Sequence, residues 1–193
     1  MEWKLFGGET SEYASKDWYE SREVANHLDQ QEHRERLLKA FYFVREAIEM
    51  GAKSVVDLGC GDGGLLSLLK DEPIEAWGYD LMPVNVEYAK NVRGVDARYT
   101  DFNNDSSIEY ADVAVMTETL EHMEDPHLVV RELPSKFLVA SSPYNENDVS
   151  HYEFHLWAWD NDGYRKLLEQ GGYTVIRQEN VSGWSQVLLG VRQ

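Results

Sequence analysis

The sequence is poor in cysteine and in basic residues. Its single cysteine, Cys60, excludes a disulfide framework and a zinc site made of thiolates, and one reduced thiol suits a cytoplasmic protein. Only 18 Lys and Arg accompany 35 Asp and Glu, so the formal net charge is −17. A polyanion would meet this negative field, which disfavours nucleic acid and anionic membranes as partners.

Long apolar runs are missing as well. No stretch reaches the roughly 18 apolar residues that a membrane span needs, and the first residues have neither the basic start nor the apolar core of a signal peptide. The chain nevertheless has enough apolar residues for one core, because 42% of its 193 residues are apolar. We expect a single cytoplasmic domain over residues 29–193, preceded by an arm or lid over residues 1–28, and the oligomeric state stays open.

Strand-like and helix-like segments alternate along residues 29–193. A helix is predicted before residue 51, since Leu37, Phe41, Val44 and Ile48 recur at helical spacing. Predicted strands cover residues 54–59, 76–80, 97–101, 112–118 and 136–142, and predicted helices cover 64–71 and 162–172 and begin near Pro83 and Pro126. Two more strands close the chain without a helix between them. This alternation predicts an α/β fold, a doubly wound, mainly parallel seven-stranded sheet with one antiparallel strand.

The segment "SVVDLGCGDGGLLSLL" (54–69) holds a glycine cluster between a predicted strand and a predicted helix. Gly59, Gly61 and Gly64 satisfy G-x-G-x-x-G, a pattern typical of dinucleotide binding. The glycines indicate only that the backbone turns sharply and lets a ligand approach closely. A dehydrogenase that binds NAD is therefore one interpretation, and the neighbouring side chains must decide.

Acidic residues surround these glycines and end the predicted strands. Asp57 precedes the cluster, Asp62 lies within it, and Asp80, Asp101 and Glu118 end other strands. Ligands of a doubly wound sheet bind at these strand ends, where the carboxylates would repel a pyrophosphate. A ligand with positive charge and no phosphate fits better. S-adenosylmethionine is such a ligand, because it carries an ammonium and a sulfonium group.

The segment "VVDLGCGDGG" resembles the first motif of class I S-adenosylmethionine-dependent methyltransferases. In that family an apolar pair, an acidic residue and an apolar residue precede G-x-G-x-G, and this chain matches the motif at Asp57, Gly59, Gly61 and Gly63. The resemblance implies the Rossmann-like methyltransferase fold for residues 29–193. It also implies that S-adenosylmethionine is the cofactor.

Two further segments, "WGYD" (77–80) and "TDFNN" (100–104), match later motifs of the family in the same order. The resemblance implies that Asp80 binds the ribose hydroxyls, that Asp101 binds the adenine amine, and that Phe102 packs on the adenine ring. Together the implied cofactor-binding residues are Asp57, Gly59, Cys60, Gly61, Asp80, Leu81, Asp101, Phe102 and Glu118.

The segment "MTETLEHMEDPH" contains E-x-x-E-H at Glu118, Glu121 and His122. Its spacing resembles ubiquinone-biosynthesis O-methyltransferases and small-RNA 3′-terminal 2′-O-methyltransferases. In both groups such a cluster binds a divalent cation, and in the RNA enzymes a later histidine completes the site. The resemblance therefore implies a cation site in this chain. Downstream, "HYEFHLWAW" offers His151 and His155. The implied metal ligands are Glu118, Glu121, His122 and His155, which would hold Mg²⁺ or Mn²⁺.

Two other roles are open for the same residues. His122 could act as a general base, because an imidazole accepts a proton near neutral pH. The cluster could also pack beside the cofactor without binding metal. The candidate catalytic residues are His122, Glu118 and Glu121.

Aromatic side chains follow the fifth predicted strand. They are Tyr144, Tyr152, Phe154, Trp157 and Trp159, and they would either contact the methyl acceptor or pack into the core. The sequence thus predicts a methyltransferase that moves a methyl group from S-adenosylmethionine to a hydroxyl or amine of a small-molecule acceptor. A metal-dependent RNA 2′-O-methyltransferase and a non-catalytic cofactor-binding module are the alternatives.

Overall fold

A computed structural model describes residues 1–5, 23–24, 26–101 and 108–192. Phe102 and most of the predicted arm lie outside these residues. The described residues form nine strands, which are β1 Glu2–Lys4, β2 Ser54–Leu58, β3 Glu75–Asp80, β4 Ala97–Tyr99, β5 Val113–Thr117, β6 Phe137–Pro143, β7 Trp157–Trp159, β8 Thr174–Val181 and β9 Ser185–Val191.

Seven of these strands form one sheet in the order β4-β3-β2-β5-β6-β9-β8. The pairs among β2, β3, β4, β5 and β6 are parallel, whereas β9 runs antiparallel to both β6 and β8. This confirms the predicted doubly wound sheet with one antiparallel strand. The order reverses at β2, so the ends of β2 and β5 open onto one crevice at what we call the carboxyl edge of the sheet.

Five helices flank the sheet among the described residues. They are α1 Gln31–Glu49, α2 Gly64–Leu68, α3 Pro83–Tyr88, α4 Pro126–Glu132 and α5 Asn161–Gln170. Proline begins α3 and α4, where its missing N–H leaves no intrahelical bond unmade. Asp125 and Asp160 cap α4 and α5 by accepting from the N–H groups of Leu128 and Gly163 at 2.9 and 2.8 Å. None of the helices described is both long and apolar enough to span a membrane.

Alternating side chains divide the core into two layers. Val55 packs with the apolar stripe of α1 on one face of the sheet, and its neighbour Val56 packs toward α4 and α5 on the other. The stripe on α1 consists of Leu37, Ala40, Phe43, Val44 and Ala47, all buried. The core therefore fixes the strands on both faces and leaves their carboxyl edge to the ligand site.

The segment Trp157–Trp159 forms a strand that the sequence pattern did not predict. It pairs antiparallel with Glu2–Lys4, and the Trp159 indole donates to a Glu2 carboxylate oxygen at 2.8 Å. The Trp157 and Trp159 rings stack 6.1 Å apart, and Trp159 is fully buried. Three residues are too few to give a periodic signal, and their partner lies at the other end of the chain. These two indoles are packing residues.

Tyr164 on α5 ties the helix layer to the end of β6. Its hydroxyl donates to the Ser141 carbonyl at 3.0 Å, and both groups are buried. Tyr164→Phe should lower the free energy of unfolding by about 1–2 kcal/mol, because the buried carbonyl loses a donor. Tyr42→Phe makes the same chemical change at a side chain that is 55% exposed, and should shift stability by less than about 0.5 kcal/mol. Urea unfolding measures both variants, and equal stability would contradict the assignment.

Candidate active site

The glycine loop after β2 brings backbone close to the carboxyl edge. Gly59, Gly61 and Gly63 have φ values of +88°, +53° and +74°, a region that side chains with a Cβ rarely adopt. A Cβ at Gly59 would lie 2.5 Å from the hydroxyl of Thr119. The loop therefore needs glycine both for its turn and for its contact with the segment after β5.

Asp80 ends β3 and anchors this loop. Its Oδ2 accepts from the Gly61 N–H at 2.8 Å, and its Oδ1 accepts from the Met82 N–H at 2.8 Å and the Asn85 amide at 3.2 Å. A carboxylate has about four acceptor positions, so one position on Oδ2 is left for a ligand hydroxyl. Burial raises the pKa of Asp80, against the effect of these hydrogen bonds.

Asp57 lies on β2 beside Asp80 and is almost completely buried. Its Oδ1 has no hydrogen-bond partner. Burial, together with the neighbouring Asp80 carboxylate, raises the pKa of Asp57 to about 7. A cationic group of a ligand would supply the missing partner and favour the ionised form, so this position fits the charge of S-adenosylmethionine.

Asp62, by contrast, is engaged within the protein. Arg93 donates to it from two nitrogens, one of them Nε at 3.0 Å, and His27 Nδ1 lies 3.0 Å from Oδ1. Burial alone would raise the pKa of Asp62, but hydrogen bonds from His27 and Arg93 lower it. The carboxylate charge is balanced here, so the case against a pyrophosphate depends on Asp57 and Asp80 rather than on Asp62.

The other predicted cofactor residues differ in their surroundings. Cys60 is buried, and its Cβ would be 2.6 Å from a Cβ added to Gly78, so the thiol packs against β3. Burial raises the pKa of the Cys60 thiol well above its ordinary value. Leu81 and Asp101 are half-buried and follow the ends of β3 and β4. Phe102 lies outside the described residues.

Glu118 follows β5 in a left-handed conformation with φ of +53°. Its Oε1 accepts from the hydroxyls of Ser141 and Ser185 at 2.8 and 3.0 Å. Arg36 Nη1 lies 3.4 Å from the same oxygen. Glu118 is thus bound to β6, β9 and α1 and is not part of the histidine cluster described below.

Arg36 is a site residue that the sequence pattern did not reveal. It is only 4% exposed, lies against the Trp184 ring at 5.9 Å, and keeps an unpartnered Nε. Burial lowers the pKa of Arg36 to about 10, which leaves it charged at neutral pH. One sequence signal could have revealed Arg36. It lies four residues before Ala40 and seven before Phe43, so it is a charged residue on the apolar face of α1.

Glu121, His122 and His155 form a second group at the carboxyl edge. Each offers one ligand atom, and these atoms all lie within 4.8 Å of one another. The Glu121 side chain is fully buried, and neither carboxylate oxygen has a hydrogen-bond partner. Burial raises the pKa of Glu121 to about 8, whereas burial and the neighbouring His155 lower the pKa of His122 to about 4.

Hydrogen bonds orient both imidazoles of this group. His122 Nδ1 lies 3.1 Å from the Phe154 carbonyl oxygen, and His155 Nδ1 lies 2.6 Å from a Glu146 carboxylate oxygen. Each Nδ1 is the donor, because both partners are acceptors, and each Nε2 is the ring nitrogen left for a ligand. His151 Nδ1 instead lies 3.1 Å from the Asn147 carbonyl oxygen, outside the group.

This group suits a divalent cation. A buried carboxylate with two unmatched oxygens and two imidazoles with Nδ1 engaged elsewhere are the donors that a transition ion binds. The 4.8 Å spread is only slightly above the about 4.2 Å between opposite ligands of a Mg²⁺ ion. Glu121, His122 and His155 would hold the ion, while Glu118 lies on the neighbouring polar cluster.

The Glu121 pKa predicts how stability depends on pH when no metal is present. Above pH 4.5 the unfolded chain has released this proton, whereas the folded protein holds it until about pH 8, so the free energy of unfolding falls as pH rises. Between pH 7 and 8 the wild type should lose about 1 kcal/mol more than Glu121→Gln. Urea unfolding with a chelator present measures this. Glu124→Gln, an exposed control, should behave as the wild type. If the free energy of unfolding depends on pH equally in the wild type and in Glu121→Gln, the raised pKa of Glu121 is contradicted.

Comparison with known proteins identifies the family. A family model described as a methyltransferase domain matches residues 26–178. The ubiquinone biosynthesis O-methyltransferase of Pseudomonas entomophila (strain L48) is 29% identical over 156 residues, which are 75% of this chain and 67% of that protein. The structure of magnesium protoporphyrin IX methyltransferase (ChlM) from Synechocystis PCC 6803 with bound SAH has a TM-score of 0.70 at 16% identity, covering 92% of this chain and 98% of that one.

The methyltransferase domain of bacterial CtHen1 has a TM-score of 0.64 at 22% identity, covering 82% of this chain and 97% of that one. The glycine pattern is therefore that of a methyltransferase and not that of a dehydrogenase. The chain belongs to the methyltransferase-domain family and is a class I S-adenosylmethionine-dependent methyltransferase.

Proposed function

We propose that this protein transfers a methyl group from S-adenosylmethionine to a hydroxyl group of a small-molecule acceptor, with a divalent cation at Glu121, His122 and His155. The observation that carries the proposal is the Glu121 carboxylate, which is fully buried beside two oriented imidazoles and has no partner for either oxygen. Burying such a group is costly unless it is paired or coordinates a metal.

Asp57, Gly59, Gly61 and Asp80 are the residues to which we assign the cofactor. The remaining acceptor position of Asp80 would take a ribose hydroxyl, and the unpartnered Asp57 oxygen would face the cofactor's positive charge. We also assign the cofactor's carboxylate to Arg36, because its buried Nε has no hydrogen-bond partner. Asp101 and Phe102 keep the adenine roles implied by the family resemblance. The chain's main contribution to rate would be to align acceptor, methyl carbon and sulfur in line.

A cation held by this group would polarise the acceptor hydroxyl and ease the loss of its proton. Two of the three donors are imidazole nitrogens, which favours a transition ion such as Mn²⁺ over Mg²⁺. His122 and His155 would bind through Nε2, since each Nδ1 is occupied. His122 as a metal-free general base is the competing role for the same nitrogen.

A small acceptor is supported by charge and by the site's surroundings. The net charge of −17 works against a polyanionic substrate. Tyr152, 42% exposed, and Phe154 lie in the loop before His155, and their rings meet edge to face with centroids 5.4 Å apart, which offers an apolar contact surface. The relative from Pseudomonas entomophila is itself named an O-methyltransferase. The single buried thiol of Cys60 supports a cytoplasmic location, which we also propose.

RNA 2′-O-methylation is the second candidate. The grouping of Glu121, His122 and His155 favours it, because the E-x-x-E-H segment resembles that of small-RNA 2′-O-methyltransferases, in which a later histidine completes the metal site. The acidic charge opposes it, because RNA binding draws on Lys and Arg contacts to phosphates.

The cofactor assignment predicts the effect of Asp80→Ala. This variant should bind S-adenosylhomocysteine more weakly by about 1–3 kcal/mol, because charge-assisted hydrogen bonds to the ribose and to the glycine loop are lost. Asp71→Ala makes the same change at an exposed residue and should bind as the wild type does. Isothermal calorimetry measures both, and unchanged affinity in Asp80→Ala would remove this residue from the cofactor site.

The reaction is tested by methyl transfer from radiolabelled S-adenosylmethionine to a panel of catechols, phenols and aliphatic alcohols, and to RNA oligonucleotides. Metal-stripped protein should be inactive, and Mn²⁺ should restore transfer to a small hydroxyl compound but not to RNA. Glu121→Gln should lose at least about 100-fold in the restored rate, since it removes a charged ligand, and Glu124→Gln should lose none.

Other outcomes would redirect the proposal. Mn²⁺-dependent transfer to RNA would establish the second candidate. Full activity in the metal-stripped protein that His122→Ala abolishes would establish the general base. Cofactor binding without transfer to any acceptor would support a non-catalytic module.

A further inference from the structure

We propose that Glu146 is a positioning residue for the cation site, and that it couples cation binding to the loop before His155. The inference rests on the function proposed above. Glu146 follows β6 in the segment 144–155, which we call the acceptor loop, and it was not singled out by any sequence pattern. Its side chain is 15% exposed and that of His155 is 10% exposed, so water screens their contact little.

The first part of the argument is the contact between Glu146 and His155. Glu146 Oε2 lies 2.6 Å from His155 Nδ1, a short distance typical of a charge-assisted hydrogen bond. This bond fixes the proton on Nδ1 and leaves the Nε2 lone pair to the group formed with Glu121 and His122. Carboxylates in this position orient metal-binding histidines and raise their basicity.

The second part is that the backbone around His155 is already held by other bonds. His155 donates its N–H to the Tyr152 carbonyl at 3.0 Å, and Leu156 donates to the Glu121 carbonyl at 2.7 Å. The Leu156 carbonyl in turn accepts from the Leu5 N–H at 2.9 Å. These bonds fix the backbone position of His155, but they do not decide which ring nitrogen carries the proton. Glu146 supplies the contact that selects the ring orientation and tautomer.

The third part is that the same carboxylate closes the acceptor loop. Glu146 Oε1 accepts from the Tyr152 N–H at 2.9 Å, and the Tyr152 ring packs 5.2 Å from the His155 ring. Both oxygens of one side chain are therefore used, one for the histidine and one for the loop. Any movement of His155 toward an ion must be transmitted to the loop that carries Tyr152.

A glutamine cannot replace Glu146 in this arrangement. Its amide has one acceptor oxygen and one NH₂ group, so an N–H would face either the His155 N–H or the Tyr152 N–H. Glu146→Gln therefore removes the charge and one of the two acceptor oxygens while it keeps the volume of the side chain. Glu153→Gln is the matched control, because Glu153 lies in the same loop, is exposed, and loses the same charge.

The experiment measures Mn²⁺ affinity by electron paramagnetic resonance and S-adenosylhomocysteine affinity by calorimetry on the full chain. Glu146→Gln and Glu146→Ala should weaken Mn²⁺ binding by about 10–100-fold while S-adenosylhomocysteine binding stays within about twofold. Glu153→Gln should leave both affinities as in the wild type. Long-range ¹H–¹⁵N NMR of metal-free protein should find His155 as the Nδ1–H tautomer, with a downfield Hδ1 signal that both Glu146 variants lose.

The outcomes distinguish this inference from the function on which it rests. Wild-type protein that binds no Mn²⁺ would overturn both. Wild-type binding that Glu146→Gln leaves unchanged, or an Nε2–H tautomer of His155 in the wild type, would overturn the role of Glu146 and leave the cation proposal standing. Equal losses of Mn²⁺ and S-adenosylhomocysteine affinity would show that Glu146 supports the fold in general, which would also overturn its specific role.

Discussion

The burial of several carboxylates side by side at the carboxyl edge of the sheet is the constraint on which this site depends. Asp57 and Glu121 are each 1% exposed or less, and Asp80 is 8% exposed. Like charges in a low-dielectric setting raise one another's pKa and cannot all ionise without compensation. Arg36 is a buried cation that faces them. Its Nη1 lies 3.4 Å from Glu118 Oε1, and Glu121 and Asp57 are close enough to raise its pKa against the effect of burial. One guanidinium cannot balance all of them.

The unbalanced charge is the reason that we propose cationic ligands for this site. The ammonium and sulfonium of the cofactor and a divalent ion would each pair with a carboxylate that the protein alone leaves unmatched. Ligand binding and folding are then linked, because a ligand that binds the native state alone adds to its stability. The site is divided accordingly: Asp57 and Asp80 lie on the side that we assign to the cofactor, Glu121 lies with the two histidines, and Arg36 and Glu118 lie between them.

The sequence predicted this edge well because its signals are local. A strand followed by an acid and a glycine turn places Asp57 and the loop, and the same logic places Asp80 and Glu118 at the ends of β3 and β5. What the sequence missed depends on contacts between distant segments. Strand β7 exists only because Glu2–Lys4 pairs with it, and Asp62 is neutralised by Arg93, which lies five residues beyond the end of α3. Arg36 and Glu146 show the same limit, since neither belongs to a motif and only the fold brings them to the site.

Cys60 has a practical consequence of a different kind. Its sulfur is buried against Gly78 and has little tendency to ionise, so the native protein should react poorly with thiol-specific reagents. Among the residues of the acceptor loop, Val149 is 89% exposed. A cysteine introduced there would be the chain's one accessible thiol, and a fluorophore or spin label attached to it would report loop movement without removing the native cysteine. The chain is in this respect already suited to single-site labelling.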